Sequence, residues 1–439
     1  MPLSSQELSQ QVHSPAWALR DDAASTLHRL SREQQIHKAV LLSFAEPVPY
    51  QVELLLHLTS SQWRSLLHWL DISGLALYLL DRLAELGLHS ALPPSVLQRL
   101  QQNMDDNTQR TRGMIDESVA LQLEFQKAGL SYAVMKGVSL SPVSVPSPEL
   151  RHQFDLDYLI AERHAPEAQQ ILERRGYRLY AVSGKSWEFK TNAAPYVSMK
   201  DFYKDLPSLA VELHLEAKTS ESSRLHRIVH REICGITMPV FSPVDLFLAQ
   251  GLHAFKDVCS AFSRSAHLLE FYRHILARRD DTTFWRELRA AAESDLRTTL
   301  GIGIVTYLIT SVMGDFAPAE LTSWTVATLP PSIRLWVDLY GQRTIFGSYP
   351  GTKLYLLLQK ELEIAGITGK RPLNQLLLPS RLPLPVRQAV LNETLSTRIS
   401  RYCMQIKHVL ARLRFHIVEG LRYAIERHRW RQHLDRLPL

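Results

Sequence analysis

Most signatures of the common enzyme classes are missing from this chain. Its 439 residues include only three cysteines, Cys234, Cys259 and Cys403, an odd number with no CxxC spacing. That argues against a disulfide framework or a thiolate zinc site, and for a reducing compartment. No GxGxxG, Walker lysine, HExxH or GxSxG pattern occurs, which removes the motif-level case for dinucleotide binding, P-loop, zincin and serine-hydrolase chemistry. Long apolar runs are also scarce. The longest uncharged stretch runs only from Thr298 to Gly314 and includes glycines, threonines and a serine. It falls short of the roughly 20 apolar residues that a spanning helix needs, so it reads as a core helix. The N-terminus, MPLSSQELSQ, is polar and carries Glu7, unlike a signal peptide. A cytoplasmic protein is the expectation.

Charge is present but unevenly placed. The net charge is +6. Between Arg398 and Arg436 there are ten Lys or Arg against Glu419, Glu426 and Asp435, a surplus of seven, so the remainder is close to neutral. The basic character belongs to the C-terminal tail.

A chain of this length exceeds one typical core, so several units are expected. From about residue 22 to 129 apolar residues recur at helical spacing. SSQWRSLLHWLDISGLALYLLDRLAELGL predicts a helix capped at Ser60 or Ser61 and ending at Gly87. The stretch after Pro93-Pro94 runs helically to Gly129, as one long helix or two broken near Asn103 to Asn107. At Leu130 the period changes. SYAVMKG, FDLDYLI, YRLYAV and LAVELHLEA read as strands, with APEAQQILERRG as a helix among them, and helices resume after about Pro239. The fold class is α+β, mostly helical overall, with a small mixed sheet embedded between helical regions. The expected units are 1–129 (helical), 130–238 (the α+β core), 239–330 (helices packing on it) and 331–439 (a helical, basic tail).

FDLDYLI raises the chemical question. Alternation sends Asp155 and Asp157 out of one sheet face, and Phe154, Leu156, Tyr158 and Ile160 out of the other. Two carboxylates that close repel each other unless a cation lies between them. A divalent metal with hard oxygen ligands answers that; so does a solvated pair on a polar face. The stretch alone leaves both open. In LAVELHLEA, Glu212, His214 and Glu216 share one face, opposite Val211, Leu213 and Leu215.

The ordered set decides more than any one motif. Met135-Lys136-Gly137, the strand from Arg151 to Asp157, Gly176-Tyr177 after the next helix, and Glu212-Leu213-His214 stand in sequence. In this order they resemble a group of bacterial nucleotidyltransferases within the DNA polymerase β-like superfamily. The likeness extends to the helical leader around Trp63 and to SPVDLFLAQGLHAFKD, covering roughly residues 50 to 280. The resemblance implies a palm-like sheet, two Mg²⁺ (or Mn²⁺) ions held by Asp155, Asp157 and Glu212, and an NTP substrate. The family pattern has aspartate where Glu212 stands, and Glu216 is a fallback ligand. Gly137 and Ser139 would hold phosphates, Lys136 would add a cation, and Arg151 would reach a phosphate, brace the aspartates, or lie on the surface. His214 would be a partner or base of the site, or a structural histidine. His253 and Lys256 share a helix face that the resemblance folds over the site; sequence alone makes it a solvated face. The acceptor, a small molecule, protein or RNA, is not legible.

Beyond about residue 330 nothing resembles a known family. Ile399, Tyr402, Ile406, Leu410, Leu413, Ile417 and Leu421 form an apolar stripe on a basic helix, suited to a core, a partner helix, an anionic membrane surface or a nucleic acid. Two other functions therefore stay open beside the transferase: a non-catalytic binding or scaffold protein of the same fold, and a basic RNA- or membrane-surface-binding protein.

Overall fold

The computed structural model describes residues 30–191, 202–204, 209–217, 223–368, 373–377 and 394–437. The polar N-terminal stretch and the start of the expected helical region lie outside the described residues.

Among the described residues, four α-helices precede the sheet. The first is α1 (Arg32–Leu42), fixed by a Ser31–Gln34 capping box. The stretch predicted as one helix from Ser60 to Gly87 is two, α2 (Ser60–Ser73) and α3 (Ala76–Glu85). Gly74 separates them at φ +79°, and a Cβ there would meet Ala266 Cβ at 3.0 Å, so the break sits where only glycine fits. The cap of α2 is Thr59, paired with Gln62, one residue before the predicted serines. The long stretch after Pro93 is a single helix, α4 (Pro94–Lys127).

Seven strands make up the sheet. These are β1 (Tyr132–Met135), β2 (Asp155–Ala161), β3 (Arg178–Ser183), β4 (Ser186–Lys190), β5 (Ala210–Glu216), β6 (Val229–Ile233) and β7 (Ile236–Val240). Their order is β3-β4-β5-β2-β1-β7-β6. β2 is central, antiparallel to β1 and parallel to β5. Helix α5 (Ala165–Arg174) makes the crossover after β2. β3 is exposed along its length and is an edge strand, although its sequence is an apolar run.

The alternation in β2 separates two apolar clusters. Leu156, Tyr158 and Ile160 pack with Leu121 and Phe125 of α4 and with Ile171 and Leu172 of α5. Leu159 and Ala161 turn the other way, into a larger cluster that runs through α1, α2, α3 and the later helices. Phe154 departs from the expected pattern. It lies before β2 against His152 and Phe202, with the Arg110 guanidinium 4.6 Å from its ring.

After the sheet come α6 (Pro243–Val258), α7 (Ser265–Ala277), α8 (Thr282–Ala292) and α9 (Leu296–Met313). Short helices α10 (Ala319–Thr322), α11 (Pro331–Trp336) and α12 (Gln342–Ile345) lead to α13 (Tyr355–Ile364) and α14 (Leu373–Leu377). The last is α15 (Leu395–Leu434). With 18 residues and a mean hydropathy of 1.4, α9 is long and apolar enough to cross a membrane, yet 67% of it is buried within the protein. It crosses α6 so closely that a Cβ on Gly251 would lie 2.2 Å from Ile302. This is the core helix its length suggests.

Candidate functional site

The site is built by register. Asp157 pairs with Glu212 across the parallel β2–β5 ladder and with Met135 across the β1–β2 ladder. Paired residues on adjacent strands leave on the same face. Asp155, Asp157, Glu212 and His214 therefore share the face that Leu159 and Ala161 turn toward the larger cluster. Oxygens of Asp157 and Glu212 and a nitrogen of His214 lie within 4.8 Å of one another.

The two aspartates have opposite electrostatics. Asp157 is 6% exposed, and its Oδ1 accepts from Lys136 Nζ and from His214 Nε2, both at 2.9 Å. Burial pushes its pKa up, but the bonds from His214 and Lys136 outweigh that and hold it down at about 2. Asp155 takes no hydrogen bond among the described residues. Burial, then repulsion from Asp157, push it up to about 6. The Glu212 carboxylate accepts a hydrogen bond from the Ser186 hydroxyl on β4 and lies 3.6 Å from His214 Nε2.

The phosphate-turn candidates follow β1. Lys136 has φ +52° without being glycine, and Gly137 has φ +50°. Two successive positive-φ residues reverse the chain at the end of the strand and swing the Lys136 ammonium back onto Asp157. A Cβ on Gly137 would lie 2.6 Å from Gln153 Oε1. Ser139 is fully buried, and its hydroxyl donates to the Lys136 carbonyl at 2.7 Å. In this state it closes the turn and does not face the aspartates.

Arg151 points to a carboxylate. Its Nε donates to Glu270 Oε1 of α7 at 3.0 Å, and Tyr78 of α3 donates to the same oxygen at 3.0 Å. Glu270 is 1% exposed, so this ion pair fastens the segment before β2 to two helices. Asn107 of α4 holds the same segment by a bond to Glu149 O (2.6 Å), and Arg110 of α4 donates to Phe202 O (3.0 Å), which His152 of that segment also contacts at 2.8 Å.

Glu216 is placed apart. It lies opposite Ala161, four residues along β5 from Glu212. Its carboxylate accepts from the Ser223 hydroxyl (2.6 Å) and from the Arg224 (3.1 Å) and Leu225 (3.2 Å) amides. It tethers the chain after β5 and is not near the aspartates. Lys256 is exposed, whereas His253, from the same helix, lines a small cavity with Lys136, Arg151, His267 and Glu270. The α6 face therefore lies over the Lys136 side of the site through His253.

Five residues were missed by sequence reasoning: Gln153, Ser186, Glu270, and the pair Asp257 and His267, whose Oδ2 and Nδ1 are 2.6 Å apart. Burial pushes His253 and His267 both down to about 3, which leaves them neutral. Asp257 was detectable, since it follows His253 by four residues on one helix. Glu270 had no local signal, because its contact with Arg151 spans 119 positions.

Residues 59–313 match the family described as Uncharacterised nucleotidyltransferase, more than half of the chain and the whole of the site. The chain belongs to that family. No curated protein matches it. Among solved structures it is similar to an antigenic nucleotidyltransferase-like protein from Paracoccidioides brasiliensis, at 14% identity. That likeness covers 49% of this chain and 97% of the other, with a TM-score of 0.28. So slight a likeness carries no argument about the site. Within the family, the carboxylate-bearing strands and the Lys136-Gly137 turn all fall inside the matched residues.

Proposed function

We propose that this nucleotidyltransferase-family protein is a divalent-metal-dependent enzyme that moves an NMP unit from an NTP onto an acceptor hydroxyl or phosphate. One observation carries the reading: Asp157 and Glu212 are register partners on parallel strands, with Asp155 on the same face and, among the described residues, without a hydrogen-bonded partner. The residues fit hard cations. Asp155 and Asp157 both lie in the field of Lys136, and the repulsion from Asp157 that adds to burial in raising Asp155 is what a bound cation would relieve. Asp155, Asp157 and Glu212 would hold Mg²⁺ or Mn²⁺, with His214 orienting Asp157. Such ions supply charge neutralisation to a triphosphate and lower the pKa of an attacking hydroxyl.

The chain's own residues do the rest. Lys136 keeps a cation at the carboxylates and is placed to pass it to a phosphate oxygen. Gly137 lets backbone amides approach where a side chain would collide with Gln153. Arg151, bonded to Glu270, keeps β2 in place and adds positive potential near both aspartates. His253 and His267, both neutral, wall the Lys136 side. The three free cysteines support a reducing, cytoplasmic setting.

A second reading, a fold that binds nucleotide without turnover, draws on Asp157 being tied to Lys136 and His214, and on Glu212 standing in for aspartate. Pyrophosphate release from each of the four NTPs with Mg²⁺, using cell extract as acceptor source, separates the two. Release that disappears in Asp155→Asn supports the transferase. Metal-dependent NTP binding with no release under any acceptor condition would favour the second reading.

A further inference from the structure

Among the described residues, the 40-residue α15 buries side chains against the protein only in its C-terminal half. Its buried residues are Glu419, Tyr423, Glu426 and Trp430, all in the C-terminal half. They are held by Thr352 to Glu419 (2.7 Å), Tyr340 to Glu426 (3.0 Å) and Trp430 to Glu361 (3.0 Å). Between Leu395 and Val418 every residue is exposed or half-buried.

That segment carries a stripe of large apolar side chains facing solvent. Ile399, Tyr402, Ile406, Leu410, Leu413 and Ile417 are 49% to 58% exposed, and Leu395 and Leu421 are 72% and 63% exposed. Steps of four, three and four recur along the stripe. They average about 3.7 residues per turn, close enough to a straight helix to keep these side chains on one line for its whole length. A contiguous apolar face of this length marks an interaction surface.

The charges say which. From Leu395 to Val418 there are five cations, Arg398, Arg401, Lys407, Arg412 and Arg414, and no Asp or Glu. At about 100° per residue, Arg398 flanks the stripe on one side and Lys407 and Arg414 on the other, while Arg401 and Arg412 lie on the face away from it. Pairing with a second copy would bring rows of like charge together. The acids further along cannot relieve that, because Glu419 is paired with Arg422 and Glu426 with Arg429. A nucleic acid would use the cations but leave the apolar line in water. We infer that this exposed segment is a docking helix for an anionic lipid surface, its stripe entering the acyl boundary and its flanking cations meeting lipid phosphates.

The test is co-sedimentation of the full chain with mixed phosphatidylcholine–phosphatidylserine vesicles, against vesicles of phosphatidylcholine alone. Expected are at least a hundredfold stronger partitioning onto the anionic vesicles and a steep loss as salt is raised. The double variant Ile406→Glu with Leu413→Glu, whose side chains are both exposed, should lose at least a hundredfold while its melting temperature stays unchanged. Lys407→Gln with Arg414→Gln should lose about tenfold on anionic vesicles only. Equal partitioning onto both vesicle types, or binding indifferent to both double variants, would overturn the inference. So would a dimer in sedimentation equilibrium that the glutamate variant dissolves without any vesicle binding, or capture of RNA in preference to vesicles.

Discussion

Lys136 Nζ stands 2.9 Å from Asp157 Oδ1, so the protein places its own cation where the proposed metal site would hold one. The ammonium reaches that position through a positive-φ backbone at Lys136, a conformation that costs on the order of 1–3 kcal/mol outside glycine. Lys136 therefore competes with metal at Asp157 when no nucleotide is bound. Lys136→Met should tighten Mn²⁺ binding to the nucleotide-free protein several-fold and weaken NTP binding at least tenfold. Calorimetric titration of each ligand reads both changes. Metal and nucleotide affinities that fall together would show that Lys136 only holds the fold.

Asp155 and Asp157 should respond to charge removal with opposite signs. Asp155 has a folded pKa of about 6 against an ordinary 3.8. The folded protein thus holds that proton more tightly than the unfolded chain does. The resulting stability is complete below about pH 4 and is lost as pH rises through about 6. In metal-free protein at pH 7, Asp155→Asn should raise stability by up to roughly 3 kcal/mol. Asp157, held at about 2, contributes stability present above about pH 4 and lost as pH falls through 2. Asp157→Asn should cost about 1–3 kcal/mol through its lost charged hydrogen bonds. Urea unfolding of both variants at pH 5 and pH 7 checks the signs, and the gain from Asp155→Asn should shrink at the lower pH.

The Gly137 turn is a separate case. Its φ of +50° and the 2.6 Å approach of Gln153 mean that any side chain meets both backbone strain and a collision. Gly137→Val should lose NTP binding by a factor of about 100 or more while costing about 1–3 kcal/mol of stability, leaving the protein folded at room temperature. Circular dichroism and nucleotide titration on one sample distinguish the two effects. Normal nucleotide affinity in the variant would remove this turn from the site.

Arg151 is predicted to matter for stability first. Its partner Glu270 is 1% exposed, and removing the guanidinium leaves a buried carboxylate with only Tyr78. Arg151→Met should cost about 3–5 kcal/mol, and Arg151→Met with Glu270→Leu should recover most of it. Failure of the double variant to recover would place Arg151's main partner elsewhere.

The sequence made β2 and β5 legible because period-two alternation with charges on one face is the mark of a strand with one polar side. It placed Asp155 with Asp157 on one face of their strand and Glu212 with His214 on one face of theirs, and the β2–β5 register brings those two faces together. It could not show that Glu216 points at Ser223, since strand alternation repeats every second residue and distance along the strand has no signature. The break at Gly74 was hidden because apolar spacing continues across it. β4, β6 and β7 were invisible for a different reason: each is five residues long and interrupted by polar, charged or proline residues, whereas the four-residue β1 is an unbroken apolar run. Arg151's role depended on Glu270, 119 residues away, and long-range ion pairs leave no local pattern. In α15 the stripe was plain, but which of its faces meets the protein was decided only by Tyr423 and Trp430 docking on the helices before it.

The central claim is that Asp155, Asp157 and Glu212 form a divalent-metal site for a nucleoside triphosphate. Thermal melting of wild type, Asp155→Asn and Glu212→Gln, each with and without millimolar Mg²⁺ and each NTP in turn, tests it most directly. The account predicts that wild type melts several degrees higher only when Mg²⁺ and an accepted NTP are both present. Both variants should lose that rise, although Asp155→Asn begins from the higher metal-free melting temperature. A wild-type response that needs no metal, or one that both variants retain in full, would contradict it.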